Sequence, residues 1–95
     1  MSDQNWHEQF SDMSDATKNT HRALISLIEE LEAVDWYQQR MDGCTDEDLT
    51  AILKHNRDEE WEHAAMLIEW LRRNHKAFAD ELEEYFNKDG DIADH

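Results

Sequence analysis

HRALISLIEELEAVDWYQQR, residues 21–40, decides the fold together with a second stretch, HNRDEEWEHAAMLIEWLRRN, residues 55–74. In both stretches apolar residues recur every three or four positions, which is the spacing of one face of an α-helix. A short polar segment around Gly43 separates the two stretches. We therefore predict two long helices that fold back on each other as an antiparallel hairpin.

Residues that cap helices set the predicted bounds. Ser14 or Thr17 can accept the first backbone N–H groups of the first helix, and Gly43 suits the left-handed conformation that ends a helix. Thr45 is the predicted cap of the second helix, with Asp48 three residues on as in a capping box. The predicted helices cover about residues 14–42, 46–73 and 76–87.

The composition favours one small all-α domain. The chain has 95 residues, no proline and 2 glycines, so it lacks the turn residues that sheets and tight hairpins need. We predict a flexible N-terminal arm (1–13), a single helical domain (14–87) and a loose C-terminal tail (88–95). Hydrophobic residues make up 39%, which is thin for a core in so short a chain, so we expect a homo-oligomer.

The charge excludes several classes of partner. Against 24 acidic residues there are 9 basic ones, and the formal net charge is -15. A nucleic acid or an anionic membrane surface needs a basic patch, whereas this field attracts cations. Cys44 is the single cysteine, the N-terminus has no signal-peptide pattern, and no window approaches the roughly 18–20 apolar residues of a membrane span. We therefore expect a cytoplasmic protein.

Polar residues interrupt both apolar rows at mid-helix. The rows are Ala23, Leu27, Glu30, Val34, Tyr37 and Met41 in the first helix, and Leu49, Leu53, Asn56, Glu60, His63, Leu67 and Trp70 in the second. A carboxylate in an apolar seam costs several kcal/mol of desolvation unless a partner compensates it. Glu30 and Glu60 lie at comparable distances either side of Gly43, so the hairpin can bring Glu30, Glu60 and His63 together.

These three side chains are half of a known set of metal ligands. Ferritin-like di-iron centres take a Glu from each of two helices and a Glu-x-x-His pair from each of two others. Two copies of this chain would complete a four-helix bundle with two Glu30, two Glu60 and two His63, which suits two iron or manganese ions. The alternatives are a salt-bridged core pair of Glu60 and His63, and a Glu30 paired with Arg22, Arg40 or Arg57. In that case the protein is an acidic helical-hairpin adaptor without catalysis, in which buried polar residues fix the register.

Further candidates flank this set. Glu29, Glu32 and Trp36 share another face of the first helix and can collect cations, or they are a solvated acidic face. Tyr37 lies on the Glu30 row, where its hydroxyl can donate a hydrogen bond to a metal-binding carboxylate, or it is an ordinary core aromatic. His55 is a peripheral ligand or a surface histidine.

The two quoted stretches resemble the encapsulated ferritins, and the similarity extends over about residues 15–86. It implies that Glu30, Glu60 and His63 are the ferroxidase ligands and that Glu29, Glu32 and Trp36 form an outer access site for divalent cations. It also places Tyr37 and His55 near the metal sites.

The resemblance further implies an iron-dependent oxidoreductase. Two-helix chains would pair into a ferritin-like four-helix bundle with two iron ions per subunit pair, oxidise Fe²⁺ with dioxygen, and assemble as an annular decamer. The ferric product would be stored in an encapsulin nanocompartment in the cytoplasm. Family members usually carry a C-terminal shell-targeting peptide, whereas this sequence ends in KDGDIADH. Peroxide reduction at a similar di-iron centre is a third hypothesis.

Overall fold

A computed structural model describes residues 6–93, and this part of the chain is all-helical. It contains a short 3-10 turn (Phe10–Asp12), followed by α1 (Asp15–Gly43), α2 (Glu47–Asn74) and α3 (Lys76–Tyr85), with no strand. The predicted all-α class is confirmed. None of the helices in the described range is long and apolar enough to cross a membrane.

Helices α1 and α2 form the predicted antiparallel hairpin. They have 29 and 28 residues, so each is about 42–44 Å long at 1.5 Å per residue. Three side-chain contacts fix the register between them. These join Gln38 to Arg57, Glu30 to His63, and Thr20 to His75, which is the α2–α3 junction.

The start of α1 agrees with the prediction from the sequence, whereas the turn between the long helices differs from it. The Thr17 N–H donates to the Ser14 hydroxyl at 3.1 Å, which confirms Ser14 as the cap. The prediction of a left-handed conformation at Gly43 was wrong. Gly43 is the last residue of α1, and the Cys44 N–H closes the final turn on the Met41 carbonyl. The Thr45 cap was also wrong. The Asp46 carboxylate takes that place and accepts the Leu49 N–H at 2.8 Å.

The third helix is shorter than predicted. It ends at Tyr85 instead of Asn87, because Phe86 is already extended with a ψ of 135° and Asn87 follows with a φ of 58°. At the other end His75 terminates α2 and precedes α3. The Thr20 hydroxyl donates to the Ala16 carbonyl at 2.9 Å and therefore accepts from His75 Nε2–H, also at 2.9 Å. This bond ties the α2–α3 junction to α1.

The buried core of the single chain is small. Its buried hydrophobic residues in the described range are Ala23, Val34, Ala64 and Leu71. The predicted apolar row of α2 was partly wrong. Ala64 and Leu71 are buried but lie outside that row, while Leu49 and Trp70 belong to it and are 48% and 37% exposed. The reason is that α1 covers only one side of α2. Large apolar side chains remain in water on both flanks of the hairpin.

The predicted arm and tail are only partly described. Residues 1–5 and 94–95 lie outside the described range. From Trp6 onward the arm rests on α1, where the Trp6 and His21 rings are 3.8 Å apart and tilted by 31°. Phe10 packs edge-on against Trp6 at 5.2 Å.

The cap of α2 can be tested by paired substitutions. Asp46→Ala should lower the free energy of unfolding by about 1 kcal/mol, because the Leu49 N–H loses its acceptor. Thr45→Ala, one residue earlier, should change it by less than about 0.5 kcal/mol. Urea unfolding at one protein concentration in EDTA measures both. A larger loss from Thr45→Ala would contradict the structure and restore the sequence-based cap.

Candidate metal centre

Three ligand-type side chains meet at the middle of the hairpin. His63 Nδ1 lies 3.3 Å from Glu30 Oε2 and 3.5 Å from Glu60 Oε2. One ligand atom from each of the three residues lies within 4.8 Å of the other two. Within the described residues this is the one group of three or more His, Cys, Asp or Glu side chains with such spacing.

The helix period and the turn length place these atoms together. Glu60 and His63 are three residues apart on α2, so their side chains lie on neighbouring positions of one face. Glu30 comes from α1 at the same height, because the three residues between α1 and α2 (44–46) set the register of the hairpin. A one-residue change in that turn would rotate Glu30 away from the pair.

The hydrogen bonding of the cluster is incomplete. One Nδ1–H cannot serve two carboxylates at once, and both distances exceed the usual 2.9–3.0 Å of an N–H···O bond. The arginine partners proposed for Glu30 are engaged elsewhere. Arg22 donates to Asn19, Arg57 donates to Asp58 and Gln38, and Arg40 lies over the Tyr37 ring. Two carboxylates therefore face each other with one imidazole between them.

The cluster is also partly open to solvent. The exposed fractions of the side chains are 26% for Glu30, 22% for Glu60 and 44% for His63. Ligand atoms around one ion at about 2.0–2.2 Å lie at most about 4.4 Å apart, which the observed spacing nearly meets. Carboxylate oxygens with an imidazole nitrogen and no thiolate suit iron or manganese. One chain supplies three ligand-type side chains at this point.

The predicted outer access site lies on a different face. Glu29, Glu32 and Trp36 are all exposed on α1, and Trp36 is 52% exposed. They point away from α2 and do not join the Glu30 cluster within this chain. Their spacing puts them along one row of the helix.

Tyr37 and His55 do not contact the cluster within this chain. Tyr37 is two turns from Glu30, a rise of about 10.5 Å, which its hydroxyl cannot span. His55 lies about 140° around α2 from Glu60, and its Nε2 is 3.2 Å from the Glu59 carboxylate. Neither residue can act on a Glu30-bound ion unless a second chain brings it close.

Sequence reasoning missed the apolar surface beside the cluster. Ile52, Met66 and Trp70 are 56%, 59% and 37% exposed, and they lie within about 20–60° of His63 around α2. Trp70 was predicted to be core. The sequence does contain this surface, as a second apolar row of α2 next to the row that faces α1. A hairpin of one chain offers nothing for that second row to pack against.

Comparisons with known proteins identify the family of the chain. A profile of the EncFtn-like family matches residues 5–89, so the chain belongs to the EncFtn-like family. The predicted family resemblance is confirmed. The fold also matches a crystal structure of protein ne0167 from Nitrosomonas europaea with a TM-score of 0.90 and 54% identity, covering 95% of this chain and 99% of that one.

Curated relatives carry related names. The chain is 57% identical over 86 residues to an encapsulated ferritin-like protein of Rhodospirillum rubrum, covering 90% of this chain and 61% of that protein. It is 49% identical over 94 residues to a ferritin-like protein of Thermotoga maritima, covering 99% and 82%. An encapsulin nanocompartment cargo protein of Myxococcus xanthus is 41% identical over 49 residues, covering 52% and 38%.

Metal binding at the cluster predicts a thermal shift. At a free Mn²⁺ concentration 100 times its Kd, binding to the folded state alone should add about 2.7 kcal/mol of stability and raise Tm. Glu60→Ala should lose most of this rise because one carboxylate ligand is gone. Glu81→Ala, an equally charged change on exposed α3, is the matched control and should keep it. Equal shifts in both variants, measured by calorimetry, would place the metal elsewhere.

Proposed function

We propose that this protein is a di-iron ferroxidase whose centre forms between two copies of the chain. The observation that carries the proposal is the meeting of Glu30, Glu60 and His63 at one open point of the hairpin. Each chain then supplies one Glu and one Glu-x-x-His pair, and two chains supply the full ligand set of a ferritin-like di-iron bundle. Four carboxylates balance the charge of two divalent ions.

The apolar flank beside His63 supports pairing through this face. A second copy would cover Ile52, Met66 and Trp70, which the single chain leaves in water. Burying such side chains contributes roughly 25 cal/mol for each Å² of apolar surface. Without metal, the carboxylates of the two copies would repel across the same interface. Pairing is therefore expected to depend on the bound cations.

A second apolar surface supports assembly beyond a dimer. It consists of three α1 residues, Leu24, Ile28 and Leu31, which are 45%, 51% and 42% exposed. These residues lie about 100–160° around the helix from Glu30, in the direction opposite to Glu29, Glu32 and Trp36. Two different two-fold interfaces on one subunit join dimers into a closed ring. The annular decamer implied by the family resemblance is such an assembly, and we propose it for this chain.

The reaction follows from the chemistry of the ligands. Fe²⁺ is the substrate: two ions each give one electron to one dioxygen molecule, which takes up two protons and leaves as hydrogen peroxide. Glu30 and Glu60 hold the ions through hard anionic oxygens, which favour Fe³⁺ over Fe²⁺ and so assist oxidation. His63 Nδ1 faces the same point and completes the set, which requires the neutral imidazole.

The other predicted residues fall around this centre in the proposal. Glu29, Glu32 and Trp36 form the outer access site, where the acidic surface collects Fe²⁺ or other divalent cations. Tyr37 and His55 reach the metals only through the paired arrangement. Residues 14–87 are the half-bundle that pairs, flanked by the arm (1–13) and the tail (88–95).

The product is proposed to leave the protein for an encapsulin compartment. Relatives are named encapsulated ferritin-like and encapsulin cargo proteins, which supports a shell protein as the partner and the interior of a cytoplasmic shell as the location. The clefts found along residues 6–93 are open and hold a few hundred Å³, too little to store a mineral. In the proposal the shell stores the Fe³⁺, because the bundle has no space for a mineral.

Aerobic oxidation of Fe²⁺ tests the activity. Glu30→Ala, Glu60→Ala and His63→Ala should each slow oxidation by at least about tenfold, because losing an interaction worth 1.4 kcal/mol changes a rate tenfold. Glu83→Ala, an exposed carboxylate of α3, is the control and should match the wild type. Absorbance of Fe³⁺ after mixing measures the rate. Wild-type rates in all three variants would exclude a ferroxidase at this cluster, and faster turnover with hydrogen peroxide than with dioxygen would favour peroxide reduction.

Assembly offers a test that needs no turnover. Anaerobic Fe²⁺ should convert monomers or loose dimers into larger rings, because an ion that binds only the associated state stabilises it. Size-exclusion chromatography with light scattering follows the mass with and without the ion. The Glu60→Ala variant should not respond, whereas Glu83→Ala should. A dimer of constant mass that holds no iron would favour the adaptor alternative.

A further inference from the structure

Two arginine–glutamate couples on α2 share the same spacing but differ in their bonding. In the first, Arg72 lies three residues after Glu69, and its Nε and Nη2 atoms donate to the two carboxylate oxygens at 2.7 Å each. Hydrogen bonds from Arg72 and then Arg73 lower the pKa of Glu69 to about 2. In the second, Arg57 lies three residues before Glu60, on a neighbouring position of the helix surface. An arginine at this spacing can engage both carboxylate oxygens, and there it would compete with a metal ion.

The guanidinium of Arg57 is bonded to two other residues. Its Nη1 donates to the side-chain oxygen of Gln38 on α1 at 2.6 Å. Its Nε and Nη2 donate to Asp58 Oδ1 at 3.2 and 2.9 Å. All three guanidinium nitrogens therefore have a partner, and the Arg57 side chain is only 20% exposed. We name the two acceptors, Gln38 and Asp58, the arginine clamp.

Both residues of the arginine clamp draw the guanidinium away from the metal-binding cluster. At 100° per residue, Asp58 and Glu60 lie on opposite sides of Arg57 around α2. Gln38 follows Glu30 by eight residues on α1, which places it about 12 Å nearer the turn along the helix axis. The arginine clamp therefore keeps a partly buried positive charge off the Glu60 carboxylate.

We propose that Gln38 and Asp58 are positioning residues of the metal centre, which hold Arg57 away from Glu60 and so leave that carboxylate to a divalent cation. Without the arginine clamp, Arg57 turns to Glu60 and competes with the ion for its oxygens. This inference rests on the proposed function in taking Glu60 as a metal ligand. It adds two residues that act through Arg57 and not on the metal.

Calorimetric titration with Mn²⁺ at one protein concentration tests the arginine clamp. The Gln38→Ala, Asp58→Ala double variant should bind Mn²⁺ about 2- to 5-fold more weakly, which is the competition expected from one partly exposed ion pair. Arg57→Gln should restore the affinity of this double variant but change that of the wild type little. A general effect of charge or a lost structural contact would make Arg57→Gln act alike in both backgrounds. Such equal effects, or a double variant that binds as the wild type does, would overturn the proposal.

The Gln39→Ala, Asp80→Ala double variant is the matched control. It removes the same two residue types and the same charge, but their contacts are with Asp35 and Lys76. It should bind Mn²⁺ as the wild type does, because Arg57 keeps its partners. Weakening equal to that of the clamp variant would assign the effect to charge alone and overturn the proposal.

A crystal structure of the Gln38→Ala, Asp58→Ala variant grown in EDTA shows the competitor directly. The Arg57 guanidinium should lie within about 4 Å of a Glu60 oxygen, the distance of an ion pair. A guanidinium that stays away from Glu60 would overturn the proposal. Mn²⁺ binding by a wild type that does not oxidise Fe²⁺ would overturn the ferroxidase alone, and the comparison of variants would still decide the arginine clamp. A wild type that binds no Mn²⁺ would overturn both.

Discussion

The structure depends on two carboxylates that a hairpin brings together but cannot neutralise by itself. Glu30 and Glu60 share the one Nδ1 of His63 at 3.3 and 3.5 Å, and the nearby arginines bond to other residues. In an apolar seam this arrangement opposes folding, because desolvated carboxylates need a counter-charge. In the proposed function a divalent cation supplies that charge. The proposal thereby accounts for the polar residues that stand where the helix period calls for leucine.

The small buried core of the single chain is also consistent with pairing around metal. Four small or medium apolar residues are buried in the described chain, and large ones such as Ile52, Met66 and Trp61 are left in water. A chain of this size that leaves such flanks exposed gains little stability from burial by itself. Burial, ligand completion and charge balance would all be achieved by one step, the pairing of two copies around metal. Folding, assembly and metal binding are in this view a single linked equilibrium.

Much of the fold and of the candidate site could be predicted from the sequence. The helix period indicated both long helices, and Ser14, one of the two predicted caps, is the observed start of α1. The interruption of the apolar rows singled out Glu30, Glu60 and His63. The wrong predictions concern the turn between α1 and α2, where several residue types could cap a helix. Gly43 and Thr45 are each plausible caps by residue type, but the three-residue turn leaves Asp46 in the capping position. The flank with Met66 and Trp70 was missed because only the proposed second chain would cover it, and a single sequence does not display that chain.

Each chain is proposed to hold half a metal centre, which its twin completes. Crystals grown with Fe²⁺ and measured with anomalous scattering at the iron edge test this most directly. The account predicts two iron peaks between symmetry-related chains, bound by Glu30, Glu60 and His63 from both. Iron held by one chain alone, or a cluster turned to solvent with no ion beside it, would contradict the account.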